Sequence, residues 1–148
     1  MALKASTGLR NRLMVTGSLK ASLDGGLVRI YSGAEPLSAD DALGAAVLLC
    51  TISNNSAGTG VTFATTTASA GVAQKTVAEV WSGVNAASGT ASFYRHVAAG
   101  DTGVLSTTEA RLQGSVAVAG SELNLSSVAL VSAATQTVDF YNVALPTL

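Results

Sequence analysis

Few side chains in this chain are suited to chemistry. The 148 residues hold one histidine, His96, and one cysteine, Cys50. A general base needs a group to act on and a second group to orient it. Asp101 is the only acid close to His96 in sequence, and a turn pair at a strand end accounts for both as well as catalysis does. Neither a Gly-x-Ser-x-Gly elbow nor a phosphate-binding glycine loop occurs. Gly58-Thr59-Gly60 lacks the third glycine and the helix that would follow it. One His and one Cys do not make a zinc set, and Asp40-Asp41 is the only acidic doublet, without calcium-loop spacing. The nine acids are too scattered to nominate a glycosidase pair. The reading is of a protein that is not an enzyme and needs no cofactor. Cys50 sits in the apolar run VLLCTI and reads as a small buried hydrophobe. Flat faces for sugar stacking remain open at Trp81, Tyr94 and Tyr141, although core packing is the commoner use of aromatics.

The elements that would position these residues are mainly strands. Residues 6–23 carry the one helical pattern: Leu9 and Leu13 are four apart, as are Leu19 and Leu23. Ser6 or Thr7 caps the first piece, Gly17-Ser18 interrupts it, and Asp24-Gly25-Gly26 stops the second. From residue 27 the period becomes that of strands, expected at 27–31, 46–53, 61–64, 72–81, 89–97, 109–118, 121–131 and 136–144. A single helical turn is expected at 37–43, turns at 54–60 and 82–88, an exposed low-complexity stretch ending at Gly71, and a stop at Pro146. Strands 89–97 and 109–118 read as a central pair joined by a polar connection at 100–103. A phase change at Ser126-Ser127 predicts a bulge, and Val138 and Phe140 are expected on one face with Asp139 and Tyr141 on the other.

This pattern predicts an all-β fold, an antiparallel β-sandwich of jelly-roll or Greek-key type, with a short helical or irregular N-terminal arm. The expected division is an arm at 1–26 and a sandwich domain at 27–148. A chain of this length buries roughly two-thirds of its unfolded surface, enough for a core without metal or disulfide.

Charge is sparse and uneven. Only 11% of residues are charged, well under the usual share of about 25%, and such a surface suits coverage by neighbouring subunits. Residues 1–30 hold Lys4, Arg10, Arg12, Lys20 and Arg29 against Asp24 alone, whereas the rest of the chain is net acidic. A basic arm on an acidic body suggests docking on an acidic partner surface. Nucleic acid fits less well, because no aromatic lies among the five cations to stack on bases. A lone cysteine implies no oxidising compartment, no run reaches the length of a membrane span, and the N-terminus lacks the apolar core of a signal peptide.

Several segments carry a resemblance. LKASTGLRN at 3–11, TGSLK at 16–20, GLVRIYSG at 26–33, EVWSG at 79–83, GTASFYR at 89–95 and RLQGSV at 111–116 look like a small protein of tailed bacteriophages. In size and composition such proteins are similar to capsid cement or decoration proteins. The resemblance spans nearly the whole chain, and its motifs are structural. It implies a jelly-roll-like sandwich, made in the bacterial cytoplasm and carried on the virion. There it would bind the major capsid protein and copies of itself, as a homodimer or homotrimer, and stabilise the shell. On this expectation Lys4, Arg10, Arg12 and Lys20 meet acidic patches of the shell while Leu9 and Leu13 anchor in an apolar groove. Two other classes remain open: a tail or head-tail connector protein, and a carbohydrate-binding sandwich for host attachment.

Overall fold

The computed structural model describes residues 3–65 and 71–144. The expected low-complexity stretch before Gly71 and the stop at Pro146 lie in part or wholly outside the described residues. Two short helices open the chain, α1 (Thr7–Val15) and α2 (Leu19–Leu23). Each starts where a serine caps it: Ser6 Oγ accepts from the Leu9 N–H, and Ser18 Oγ from the Ala21 N–H. The remaining elements are strands: β1 (Lys4–Ala5), β2 (Leu27–Ser32), β3 (Val47–Asn54), β4 (Val72–Gln74), β5 (Trp81–Val84), β6 (Gly89–Thr90), β7 (Phe93–Val97), β8 (Arg111–Ala117), β9 (Leu123–Asn124), β10 (Ala129–Leu130), β11 (Thr135–Val138) and β12 (Asn142–Ala144). The fold is therefore mostly β, with antiparallel sheets and a short helical N-terminal segment. No helix among the described residues is long and apolar enough to cross a membrane.

The main sheet runs β1-β8-β7-β2-β3-β5-β11, with β9 added in parallel to β8; β6 with β10 and β4 with β12 form two small ribbons. The expected central pair is present as β7 and β8, antiparallel with Phe93 opposite Ser115 and Val97 opposite Arg111. The sheet curls strongly. Neighbouring strands stand about 4.8 Å apart, so β5 and β7, with β2 and β3 between them, would lie roughly 14 Å apart if flat. Instead the rings of Trp81 on β5 and His96 on β7 are 6.2 Å apart, so the sheet bends toward this face. Phe63, Trp81, His96 and Tyr141 pack ring to ring in the space between.

Several local readings change. Residues 37–43 form turns rather than a helical turn, with the Asp40 N–H donating to Ser38 Oγ and the Ser38 N–H to Asp41 Oδ2. The stretch at 82–88 is not all turn, because β5 occupies its first half. Gly83 there lies so close to β3 that a Cβ would stand 2.1 Å from the Thr51 carbonyl oxygen. Only the C-terminal part of β3 is deeply buried, since Val47 and Leu48 reach solvent. The strands expected at 121–131 and 136–144 each break in two. The second break, at 139–141, reverses the expected faces: Tyr141 turns into the core and Phe140 to solvent.

Candidate docking surface

The residues singled out for chemistry are enclosed. His96 is fully buried, and its Nε2–H donates to the Leu23 carbonyl at 3.2 Å. Burial lowers its pKa to about 4, so the ring is held neutral. Asp101 is not its partner; that carboxylate is paired with Arg111. Cys50 is buried, and burial pushes its thiol up to about 11. Trp81, Tyr94 and Tyr141 are buried too, so none offers a flat face to a sugar, and the stacking role read from the sequence is not available to them. Among the described residues no three His, Cys, Asp or Glu side chains gather as a metal set.

The N-terminal segment is not a detached arm. β1 pairs with β8, and Ser6 ties the following turn down. Its Oγ accepts from the Leu9 and Arg111 N–H groups (3.1 and 2.9 Å) and donates to the Glu109 carbonyl at 2.7 Å. Leu9 is consequently buried in the protein's own core, and Leu13, half-buried, packs against it. The expectation that Leu9 and Leu13 anchor in a partner's groove is corrected accordingly. The chain folds back and covers these leucines itself. Lys4 is 2.8 Å from Glu35, and Lys20 pairs with Asp24 and donates to the Phe63 carbonyl at 2.7 Å. These two cations therefore already have partners. Of the predicted cations, Arg10 and Arg12 on α1 stay exposed, and neither forms an ion pair among the described residues.

Sequence reasoning missed the face of the main sheet that points away from the aromatic core. Strand alternation puts Lys4, Gln113, Arg95 and Arg29 in one row across β1, β8, β7 and β2, and Arg111 lies on the same face. This row gathers the carbonyls of two covering loops, 33–46 and 98–108. Arg95 donates to the Asp41 carbonyl at 2.9 Å and to Gln113 Oε1 at 2.7 Å. Gln113 donates to the Pro36 carbonyl at 2.8 Å, and Arg29 to the Asp101 carbonyl at 2.5 Å. Arg111 grips Asp101 with two N–H groups and donates a further one to the Val104 carbonyl at 2.7 Å. Burial would push the Asp101 carboxyl up, but hydrogen bonds from Arg111 and the Gly103 N–H outweigh it and hold the group below the usual carboxylate range.

The two loops also bind each other and α1. The Ser106 N–H donates to the Asp40 carbonyl at 2.9 Å, and the Leu43 N–H to the Gly103 carbonyl at 3.2 Å. The Asp40 carboxylate accepts from the Thr7 N–H and hydroxyl at 2.8 and 2.6 Å, at the positive end of α1. Thr7 in turn accepts from Arg10 at 2.9 Å. The outer side of this clasped assembly carries Leu37, Val104 and Leu105, which are 92%, 60% and 69% exposed. Exposed large apolar side chains on loops whose backbones are pinned from beneath are a candidate for a docking surface. The sequence signal was faint: two arginines of matching parity in FYRHV and RLQGSV, and three apolar residues stranded in polar loops.

Comparison with protein-family models, curated proteins and solved structures found no match.

Proposed function

We propose that this protein is a structural component of a bacteriophage virion, a capsid cement or decoration protein that binds the outer shell as a homo-oligomer and stabilises it. The support is the segment-by-segment resemblance together with one structural observation. The exposed Leu37, Val104 and Leu105 sit on loops fixed by the buried arginines, and the exposed Arg10 is linked to the first of these loops through Thr7 and Asp40. Such a surface binds without first having to order itself, so little of the contact energy is lost to entropy. Each contact is small, but a ligand that binds only the assembled shell stabilises that shell by mass action, and repeated contacts over a lattice add avidity. Arg10 and Arg12 supply the positive charge that an acidic capsid patch would attract.

Co-sedimentation with shells assembled from the partner major capsid protein tests this reading. Wild-type protein is expected to pellet with shells at micromolar concentration. Leu37→Asp with Leu105→Asp, or Arg10→Glu with Arg12→Glu, should weaken binding at least tenfold while leaving the unfolding curve in place. Wild-type protein that stays in the supernatant would remove the cement reading. Variants that pellet as well as wild type would move the docking surface elsewhere.

A further inference from the structure

The two edges of the main sheet are built differently. The β1 edge is two residues long, carries the paired Lys4 and runs straight into the α1 cap, which are the usual ways of blunting an edge. The β11 edge has no such guard: no charged residue occurs between Glu122 and Asp139, and no proline lies in that span. Its outward groups follow from the hydrogen bonds of the two residues that directly continue β5. Asn85 donates its N–H to the Ala134 carbonyl, whereas Ala86 donates to the Leu49 carbonyl on the β3 side. Odd residues of β5 therefore face β11 and even ones face β3. With Gln136 opposite Gly83 and Val138 opposite Trp81, the Thr135 and Thr137 backbones point away from the sheet. Among the described residues their outward groups have one partner, the Gln136 side-chain amide on the Thr137 carbonyl at 2.9 Å, which leaves that oxygen a second lone pair.

We infer that β11 pairs antiparallel with β11 of a second copy, joining two main sheets across a two-fold axis through Gln136. In this register Thr135 of each copy faces Thr137 of the other. Four backbone hydrogen bonds form, and the exposed threonines make two cross-strand Thr–Thr pairs. Charge favours the antiparallel arrangement: it leaves the two Asp139 residues, each just past the end of β11, at opposite ends of the joint, whereas a parallel in-register pairing would bring them side by side. The exposed Phe140, the one aromatic ring left in solvent among the described residues, lies two positions past the end of β11, close to the proposed joint. An isologous contact of this kind closes on itself and does not propagate into fibres.

This inference goes beyond the shell-binding reading and is tested without shells. Sedimentation velocity on the full chain at micromolar concentrations should give twice the chain mass. Thr137→Pro removes an outward N–H and no bond to β5, so it should raise the dimer dissociation constant at least tenfold with the unfolding curve retained. Thr135→Lys with Thr137→Lys, and separately Thr135→Asp with Thr137→Asp, should each give single chains, and mixing the two should restore a dimer. A wild type that sediments as a single chain throughout overturns the inference. So does a dimer untouched by these substitutions, or a pair of charge variants that fails to associate on mixing.

Discussion

Arg111 lies edge-on against Asp101, with Nε 2.6 Å from Oδ2 and Nη2 2.9 Å from Oδ1, and both side chains are 1% exposed. The pair joins β8 to the loop that also carries Val104 and Leu105. Removing one partner of a buried, hydrogen-bonded pair leaves the other charge stranded, at about 3–5 kcal/mol. Arg111→Met or Asp101→Asn should therefore lower stability by that order in urea unfolding, with the double variant less damaged than the sum of the two. Because the folded Asp101 carboxyl sits below its ordinary value, its contribution is in place above about pH 4 and is lost as pH falls through the folded value. Asp101→Asn should flatten that part of the acid limb.

His96 gives a second acid limb at higher pH. Its folded pKa of about 4 lies below the unfolded value of about 6.5, so the unfolded chain takes up the proton first. The contribution is complete above about 6.5 and erodes as pH falls toward 4, by roughly 3 kcal/mol in all. The Cε1 proton resonance of this single histidine should stay fixed between pH 8 and 5 in the native state. A resonance titrating near 6.5 would show an open site. His96→Gln should cost stability at neutral pH and remove the slope between 6.5 and 4.

The N-terminal segment should be inseparable from the body. Deleting residues 1–24 takes away Leu9 and Leu23 from the core and Ser6 from the end of β8. The expected product lacks a cooperative thermal transition. A milder form of the same test is Gly8→Ala, whose new Cβ would stand 2.4 Å from the Thr108 carbonyl oxygen. Forced displacement of that size costs roughly 1–3 kcal/mol, read as a drop in Tm. An unchanged Tm would mean that α1 is only loosely seated.

Cys50 should be silent in the folded protein. Its thiol is buried and pushed up to about 11, so the reactive thiolate is scarce at neutral pH. A thiol reagent at pH 8 should modify no cysteine until denaturant is added, with the modification rate then following global unfolding.

What the sequence disclosed depended on how local the signal was. Ser18, read only as an interruption, caps α2, whereas the cap at Ser6 and the strand pair β7 and β8 rest on signals within a few residues, and they were legible. β5 was not, because its glycine and serine read as a turn, and the need for Gly83 arises only from β3 running alongside. The face reversal at Tyr141 follows from a break after β11 that no alternation rule anticipates. Leu9 shows the same limit in the candidate site. A helical leucine pair announces that something will cover it, but not whether the cover belongs to the same chain. The arginine row was hidden for a related reason, since Arg29, Arg95 and Gln113 become neighbours only once β2, β7 and β8 are in register.

The join between Ser6 and Arg111 spans 105 positions of chain. At ordinary translation speeds of about 5–20 residues per second, the leading residues wait roughly 5–20 s on the ribosome before their partner strand exists. During that interval Leu9 has no core to enter, and the uncharged run that becomes β11 is made later still. Completion of the fold is therefore expected only after β8 and β11 have been made, and a nascent chain stalled short of β8 would be a natural client for chaperones.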